Sequence, residues 1–221
     1  MTETDRYDDD YRKSTALFGE APDPLLIEYL SHISIDQPVL DVGAGQGRHA
    51  LHLAELGYEV DAIDPSSVGM EQLRSRAASQ ALSLRVRVAG WEDFAGTPRG
   101  YGAVLLFGLV QLLTRAQIDA LAQQSLRWLV PGGLLFVTGH TTDDAGCAMR
   151  ASDPAWSSVE RGTFVGPEGQ LRTYLRPGEV LERFGQFEVV HHWEGMGPEH
   201  RHGDGPLECH ACVRAVLLKP W

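Results

Sequence analysis

The segment 39–64 constrains the fold of this 221-residue chain more than any other stretch. A short apolar run, Val39–Val42, predicts a buried strand, and three glycines at alternate positions follow it, the first of them at 43. An amphipathic helix is predicted over 47–56 and a second apolar strand over 59–63. Glycine allows backbone angles and close approaches that a Cβ would forbid. The segment therefore predicts a strand, a tight turn and a helix, and then the next strand of a parallel sheet.

The chemistry of a ligand at this turn is indicated by two carboxylates. Asp64 lies 21 residues after Gly43, at the end of the second strand, where a carboxylate can accept hydrogen bonds from both hydroxyls of a ribose. Asp41, two residues before the first glycine, would repel a pyrophosphate and attract the ammonium group of an amino acid. The spacing is also Gly-x-Gly-x-Gly, unlike the Gly-x-Gly-x-x-Gly turn that seats a pyrophosphate. Together these features predict a site for a ligand that contains adenosine.

The same motifs carry a family resemblance. Leu-Asp-Val-Gly-Ala-Gly-Gln-Gly followed by Val-Asp-Ala-Ile-Asp-Pro-Ser resembles the first two motifs of class I S-adenosylmethionine-dependent methyltransferases. Most of the chain also resembles the tellurite-resistance type of small bacterial methyltransferases, through the stretches 45–54, 57–62, 131–133 and 169–174 and the pair His200-Arg201. A further arginine that this type carries after the pair is absent here, where Pro206, Leu207 and Glu208 stand. The resemblance therefore implies the methyltransferase class and leaves the methyl acceptor open.

The resemblance implies S-adenosylmethionine as cofactor. Asp41 is expected to face its methionine ammonium, Asp64 its ribose hydroxyls, and Trp91 its adenine ring. The cofactor-binding residues predicted in this way are Asp41, Gly43, Ala44, Gly45, Gly47, Asp64, Pro65, Trp91, Glu92 and Phe107. It also implies an α/β, Rossmann-like open sheet of five parallel strands closed by a C-terminal antiparallel hairpin, with helices on both faces.

Hydrophobic periodicity along the chain leads to the same architecture. The predicted strands are 39–42, 59–63, 84–88, 103–107, 134–138, 187–193 and 208–218, and the predicted helices are 23–33, 47–56, 67–79, 115–129 and 177–184. Alternating strands and helices favour parallel pairing through right-handed crossovers, and the last two strands, joined by a short link, favour antiparallel pairing. Pro131-Gly132-Gly133 is expected to break the chain before the fifth strand. Residues 1–10, which are polar and acidic, are expected to be frayed.

A single domain over 1–221 is predicted, with two additions to the sheet. Residues 1–35 are expected to form a lid and a helix, and residues 140–186, which include a hairpin over 162–174, an inserted segment on the substrate side. The catalytic residues predicted from the loop before the last strand are His200, a general base or clamp, and Arg201, with His202 as an alternative base. The predicted substrate-binding residues are Tyr11, His140, Arg172 and Tyr174.

Composition and charge limit the kinds of partner that this protein is expected to have. A net charge of −11 argues against a nucleic-acid partner, which usually requires a basic surface. The absence of a signal sequence and of an 18-residue apolar run predicts a cytoplasmic protein without membrane contact. The three cysteines are expected to be free thiols. No metal is predicted, because Cys209 and Cys212, three apart on a predicted strand, point to opposite faces, and His191 and His192 also oppose each other.

The favoured function is methyl transfer from S-adenosylmethionine to a small-molecule nucleophile, namely a thiol, a hydroxyl or a chalcogen oxyanion. Two alternatives stay open at this point. A dinucleotide-binding oxidoreductase is disfavoured by the glycine spacing and by Asp41. A non-catalytic protein that binds S-adenosylmethionine would carry the same cofactor motifs. The sequence leaves the oligomeric state undetermined.

Overall fold

The computed structural model describes residues 3–201 and 205–221. The strands are β1 (Val39–Val42), β2 (Val60–Asp64), β3 (Arg85–Val88), β4 (Tyr101–Leu106), β5 (Leu129–His140), β6 (Ser157–Glu160), β7 (Thr163–Val165), β8 (Leu171–Thr173), β9 (Glu188–Met196) and β10 (Ala211–Leu218). The helices are α1 (Glu3–Lys13), α2 (Pro24–Tyr29), α3 (Arg48–Glu55), α4 (Ser67–Ser79), α5 (Arg115–Trp128), α6 (Ala145–Ser152) and α7 (Glu179–Arg183), with 3-10 turns at Leu30–His32 and Val110–Leu112.

Seven strands form one sheet in the order β3-β2-β1-β4-β5-β10-β9. The first five are parallel, and β10 runs antiparallel to both β5 and β9. Every residue of β1, β2 and β4 is buried, as expected for central strands covered by helices on both faces. Two apolar clusters lie on opposite sides of these strands. The predicted fold, five parallel strands with a C-terminal antiparallel hairpin, is therefore confirmed.

Local sequence signals set most helix ends. Asp23 caps α2, whose first residue is Pro24, and the Ser66 hydroxyl accepts a hydrogen bond from Gly69 N at the start of α4. Thr114 and Gln117 form a reciprocal capping box on α5. Consequently α4 lies at the predicted 67–79, and α5 ends one residue before the predicted bound.

The structure corrects the prediction of a frayed N-terminus, because α1 covers most of residues 1–10. Two acidic side chains of this helix make contacts that the hydrophobic periodicity did not predict. Asp9 pairs with Arg12 at 2.6 Å, and Asp8 accepts a hydrogen bond from the Ser66 hydroxyl at the start of α4. The rings of Tyr7 and Tyr11 stack at 5.9 Å. Tertiary contacts with α4, rather than helix propensity, hold this helix in place.

The prediction of a break before the fifth strand was wrong. β5 begins at Leu129 and continues through the Pro-Gly-Gly stretch, with Tyr101 paired to Leu129 and an irregular register before Ala103 pairs with Leu134. Gly132 takes a positive φ of 75°, so the stretch is a bulge within the strand. The carboxyl end of β5 therefore reaches His140.

The inserted segment holds more structure than was expected. The predicted hairpin is present as β7 and β8, and β6 extends it to a separate three-stranded sheet. Arg115 fastens this sheet to the main body: its guanidinium donates to Thr163 Oγ1 at 2.7 Å and to the Tyr174 carbonyl at 3.1 Å. The same group pairs with the buried Glu179 at 2.7 Å. The insertion therefore lies fixed beside the carboxyl end of β5.

Candidate cofactor and acceptor site

The glycine turn after β1 adopts backbone angles that favour glycine. The φ values are 74° at Gly43, 54° at Gly45 and 82° at Gly47. A Cβ on Gly47 would lie 2.2 Å from Leu73 Cδ1, so this glycine permits the close approach of α4. A Cβ on Gly45 would instead lie 2.6 Å from the hydroxyl of Tyr11. Of the predicted glycines, Gly47 therefore has a packing role, and Gly45 faces the N-terminal lid.

Asp64 connects the end of β2 to this turn. Its Oδ2 accepts a hydrogen bond from Gly45 N at 2.9 Å, and its Oδ1 accepts one from Ser66 N at 2.7 Å. Burial raises the pKa of this carboxyl, whereas these two backbone N–H groups oppose the rise. Each carboxylate oxygen retains a second lone pair for a ligand hydroxyl. Asp64 thus fixes the turn and presents an acceptor at its mouth.

Asp41 is a buried carboxylate with an unsatisfied oxygen. It is 1% exposed, and among the described residues its Oδ2 has no hydrogen-bond partner. Burial raises its pKa to about 7, and the positive charge of Arg48 opposes the rise. A buried, unpaired acceptor is costly unless a donor reaches it. An ammonium group bound at this edge of the sheet would supply both the donor and the charge.

The N-terminal segment covers the turn. Tyr11 is buried against Gly45 and Gly69, and burial raises the pKa of its phenol well above the usual value, which keeps it neutral. Gln46, which the sequence did not single out, accepts a hydrogen bond from Leu17 N at 2.7 Å. The side chain of Gln72 donates to the Tyr11 carbonyl at 2.8 Å. These amides hold the lid closed over the glycine turn.

The remaining predicted cofactor residues have mixed surroundings. Phe107 follows β4 and stacks on His49 at 4.3 Å. Trp91 packs partly buried against the core after β3. Pro65 is exposed, and the exposed Glu92 accepts a hydrogen bond from Gln117 at the start of α5 at 3.0 Å. An aromatic side chain therefore follows each of β3 and β4, whereas the Glu92 carboxylate is hydrogen-bonded to α5.

Rings from distant parts of the chain meet at the carboxyl end of β5. His140 stacks on His210 with 4.5 Å between ring centroids and on Tyr174 at 6.0 Å. The amide of Gly108, after β4, donates to Thr138 Oγ1 at 2.9 Å and so links this cluster to the strand beside the glycine turn. Two of the predicted substrate residues, His140 and Tyr174, are therefore brought together. His210 joins them without having been predicted for this role.

Two arginines lie close to this cluster of aromatic and histidine rings. Arg150, from α6, donates to the Tyr174 hydroxyl at 2.6 Å and lies 4.7 Å over the Trp156 ring. Arg172, a predicted substrate residue on β8, donates to the Leu171 carbonyl at 2.6 Å. The positive charges of both arginines act on His140 and help to lower its pKa. Two arginines therefore lie beside the ring cluster, together with the carboxylate of Asp144, which contacts His210.

The predicted catalytic pair lies in the hairpin that precedes β10. His200 Nδ1 lies 3.1 Å from the Pro198 carbonyl oxygen, and its ring lies 5.3 Å from that of His210. Arg201 is exposed and donates to the Gly205 carbonyl at 2.9 Å. His202, the alternative base, lies outside the described residues. The structure brings His200 to the ring cluster and turns Arg201 toward its own loop.

The described part of the chain contains neither a candidate metal centre nor a helix that could span a membrane. No group of three or more His, Cys, Asp or Glu side chains within 3–201 and 205–221 is arranged to hold a metal ion. None of the helices in these ranges combines the length and apolar content needed to cross a bilayer.

Comparison with known proteins identifies a family that part of this chain resembles. Residues 39–133 match the family described as a methyltransferase domain. This part of the chain is similar to a methyltransferase domain. This confirms the predicted family and its cofactor, S-adenosylmethionine.

Two curated relatives of this domain have different names. The chain is 26% identical over 145 residues to a probable S-adenosyl-L-methionine-dependent methyltransferase, TehB, of Haemophilus influenzae, covering 65% of this chain and 46% of that protein. It is 34% identical over 145 residues to a ubiquinone biosynthesis O-methyltransferase of Methylocella silvestris, covering 64% of this chain and 54% of that protein. The chain spans about half the length of the curated relatives it matches.

A solved structure shares the fold over nearly the whole chain. It is the 1,6-didemethyltoxoflavin-N1-methyltransferase of Burkholderia thailandensis, with bound 1,6-didemethyltoxoflavin and S-adenosylhomocysteine. The TM-score is 0.70 at 16% identity, and the alignment covers 99% of this chain and 87% of the other. At that identity the likeness shows that the methyltransferase domain has the class I fold.

Proposed function

We propose that the protein transfers a methyl group from S-adenosylmethionine to a small-molecule nucleophile. The observation that carries the proposal is the buried Asp41 carboxylate beside a turn of left-handed glycines, because no donor within residues 3–201 and 205–221 reaches its Oδ2. S-adenosylmethionine supplies an ammonium group for that oxygen, ribose hydroxyls for Asp64, and a methyl group on a sulfonium. A dinucleotide, whose pyrophosphate would face Asp41, fits this charge poorly.

The residues of the chain have separate tasks in this proposal. Asp41 holds the ammonium, the backbone of Gly43, Ala44 and Gly45 lines the methionine and ribose, and Asp64 binds the ribose hydroxyls. The adenine ring and the methyl group of the cofactor are contacted by the other predicted residues, which are Pro65, Trp91, Glu92 and Phe107. Tyr11 and helix α1 exclude water from the bound cofactor. Holding two reactants in line can contribute about 7–11 kcal/mol, so positioning is the main catalytic requirement.

We further propose that the acceptor binds between the lid and the inserted sheet. The partly buried ring of His140, backed by the buried Tyr174, offers planar surface, and Arg172 and Arg201 offer positive charge for an anionic group. His200 remains a candidate for a clamp. The relative named as a ubiquinone biosynthesis O-methyltransferase acts on oxygen by its name, and the Burkholderia enzyme is named as an N1-methyltransferase of a small molecule, so both names support a small-molecule acceptor.

Calorimetric titration tests the cofactor half of the proposal. We expect S-adenosylmethionine and S-adenosylhomocysteine to bind at micromolar concentrations and NADH to give no heat. Micromolar binding of NADH without binding of S-adenosylmethionine would support the oxidoreductase alternative instead.

A panel of phenols, thiols and chalcogen oxyanions tests the catalytic half. We expect mass spectrometry to show a methylated product from at least one class, together with one equivalent of S-adenosylhomocysteine. If the cofactor binds but no member of the panel is methylated, the non-catalytic binding protein becomes the better interpretation.

A further inference from the structure

One side chain of the glycine turn reaches into the N-terminal segment. Gln46 belongs to the turn after β1 and is only 6% exposed. Its Oε1 accepts a hydrogen bond from Leu17 N at 2.7 Å, and its Nε2 donates to the Ser14 carbonyl at 2.5 Å. Residues 3–20 form the lid, which is therefore bonded directly to the turn.

A second glutamine completes this contact. Gln72 lies on α4, where its Oε1 accepts a hydrogen bond from Gln46 Nε2 at 2.6 Å and its Nε2 donates to the Tyr11 carbonyl at 2.8 Å. A primary amide has two donor hydrogens and an acceptor oxygen, so two paired amides can bind three backbone groups at once. The side chains of Gln46 and Gln72 thus form an amide clasp, which holds the backbone of Tyr11, Ser14 and Leu17.

The lid is also connected to the carboxylate that is proposed to bind the ribose. Ser66 N donates to Asp64 Oδ1 at 2.7 Å, and the Ser66 hydroxyl donates to the Asp8 carboxylate. Asp8 also accepts a hydrogen bond from Val68 N at 3.3 Å. The first turn of α4 therefore contacts Asp64 on one side and the lid on the other.

The turn that carries Gln46 has wide conformational freedom of its own. Gly43, Gly45 and Gly47 all take positive φ values, and glycine backbones sample many conformations when nothing restrains them. The proposed cofactor lies against the backbone of Gly43 and Gly45 and so restricts this freedom. The lid packs on the same turn, because the Tyr11 hydroxyl lies 2.6 Å from the Cβ position of Gly45. A ligand that fixes the turn therefore also fixes the groups to which the lid binds.

We infer that Gln46 is a positioning residue that couples binding of the cofactor to closure of the lid. The inference rests on the proposed cofactor site. With a cofactor on the turn, the amide of Gln46 is already in place, so the lid closes with less further loss of conformational entropy. With the lid closed, the turn is already ordered, and the cofactor binds more tightly. Linkage requires the two effects to be equal in free energy.

The other polar contacts of the lid are less suited to this coupling. Arg76 pairs with the exposed Glu20 at 3.4 Å, and exposed ion pairs contribute little. Arg48 donates to the Phe18 carbonyl at 3.0 Å, but this is a single exposed contact. Gln46 alone among these residues belongs to the glycine turn and is buried with three hydrogen bonds that lead to the lid, one of them through the second glutamine of the clasp.

The coupling has a consequence for the release of the product. S-adenosylhomocysteine has the same amino-acid and ribose groups as S-adenosylmethionine, so it fixes the turn and holds the lid closed in the same way. Opening of a lid sets the rate of product release in many enzymes. A weakened amide clasp should therefore release S-adenosylhomocysteine faster.

Hydrogen exchange of the full-length protein, with and without S-adenosylhomocysteine, tests the coupling. In the wild type, the ligand should slow amide exchange within residues 3–20 by about tenfold or more. Gln46→Met retains an unbranched side chain without an amide, and it should lose most of this protection. The same variant should bind S-adenosylhomocysteine about tenfold more weakly in calorimetric titration and release it faster in stopped-flow measurements.

Three further variants separate this coupling from a general loss of stability. Gln72→Met opens the amide clasp from α4 without changing the turn, so it should reproduce both effects of Gln46→Met at a smaller size. Gln123→Met changes an exposed glutamine on α5 and should behave as the wild type. Thr114→Ala removes the cap of α5, so it should lower the midpoint of urea unfolding and leave both lid protection and ligand affinity unchanged.

The coupling and the proposed function can fail separately. A wild-type lid whose exchange ignores the bound ligand, or a Gln46→Met variant with wild-type affinity, would overturn the coupling while the proposed cofactor site stands. Weaker binding by Gln46→Met with unchanged lid protection would also overturn it, because Gln46 would then act on the turn alone. A wild-type protein that binds neither S-adenosylmethionine nor S-adenosylhomocysteine would remove the proposed function and this inference together.

Discussion

The proposed cofactor side and the proposed acceptor side of this site are built from the chain in opposite ways. On the cofactor side, Gly45 and Asp64 are 19 residues apart and belong to consecutive elements of one strand–helix–strand unit. On the acceptor side, His210 meets Asp144 across 66 residues, and Arg115 meets Tyr174 across 59. The first side is a local motif, and the second is an assembly of the insertion, β5 and the last hairpin.

This difference determines how a substitution should act. A residue of the local motif acts on the ligand directly, since little besides the turn depends on it. A residue of the distributed side has first to hold separate segments together. We therefore expect cofactor affinity and acceptor turnover to respond to different substitutions, and four predictions test that separation.

The largest effect is expected at Gly45. Gly45→Val combines a left-handed backbone with a side chain that meets the Tyr11 hydroxyl and the ligand side of the turn, so cofactor affinity should fall by at least about 100-fold. Gly57→Val is the matched control, because Gly57 has a φ of 90° but nothing within 4 Å of its Cβ position. Titration of the two folded variants gives the comparison. Tight binding by Gly45→Val would mean that the turn does not face the cofactor.

The next effect concerns stability on the distributed side. Burial by itself would raise the pKa of Glu179, but hydrogen bonds from Arg115, Arg176 and Arg183 lower it to about 2. Glu179→Gln should cost about 3–5 kcal/mol in the free energy of unfolding, since it removes the buried carboxylate that pairs with the partly buried Arg115 and Arg183. Glu182→Gln, which removes an exposed pair with Arg176, should cost less than about 1 kcal/mol.

Urea unfolding at several pH values checks the Glu179 prediction. The folded pKa lies below the ordinary value of 4.5, so the stabilisation is complete above pH 4.5 and is lost as the pH falls toward 2. The difference between wild type and Glu179→Gln should shrink over that window. A difference that stays constant down to pH 2 would contradict the ion-pair account.

Asp41 should show opposite effects on stability and on binding. Its pKa is raised to about 7, so its contribution to stability is present at acid pH and is lost as the pH rises from the ordinary 3.8 through 7. Asp41→Asn should therefore stabilise the ligand-free protein at pH 8 by about 1–3 kcal/mol and weaken cofactor binding by about tenfold or more. Asp61→Asn, which removes the buried charge that pairs with Arg85 and accepts a hydrogen bond from the Tyr101 hydroxyl at 2.6 Å, should destabilise the protein without affecting binding.

Thermal unfolding and titration of both aspartate variants provide the measurements. Unchanged cofactor affinity in Asp41→Asn would show that the unsatisfied oxygen is not where the ammonium binds. A destabilised Asp41→Asn would show that Arg48 already compensates the buried charge.

The smallest effect is expected at Arg201. This side chain is exposed and bonded to its own loop, so Arg201→Ala should raise KM for an anionic acceptor by only a few-fold, about 1 kcal/mol or less, and leave a neutral acceptor unchanged. Arg127→Ala, an exposed arginine on α5, is the control for a change of net charge. Equal changes of KM in the two variants would show that Arg201 acts only through long-range electrostatics.

The cofactor half could be predicted from the sequence because its signals are local. The strand, the glycine turn, α3 and the carboxylate of Asp64 occupy one continuous segment, and hydrophobic periods and caps determine their spacing. Even there, tertiary contacts changed two interpretations. Gly47 serves the packing of Leu73, and the residues expected to be frayed form α1, because burial of Tyr11 and the capping contact of Asp8 outweigh the polarity of the segment.

The contacts of the proposed acceptor half depend on the tertiary structure. The resemblance led to His200 and Arg201, whereas the ring fixed by a buried carboxylate is His210, whose partner Asp144 lies on another element with no spacing rule to connect the two. By itself the sequence determined the order of the elements, the parallel sheet and the edge at which a ligand is expected, because these follow from patterns within short windows. Which side chains face each other across that edge depended on the bulge in β5, the inserted sheet and the antiparallel hairpin, since only folding brings those segments within hydrogen-bonding distance.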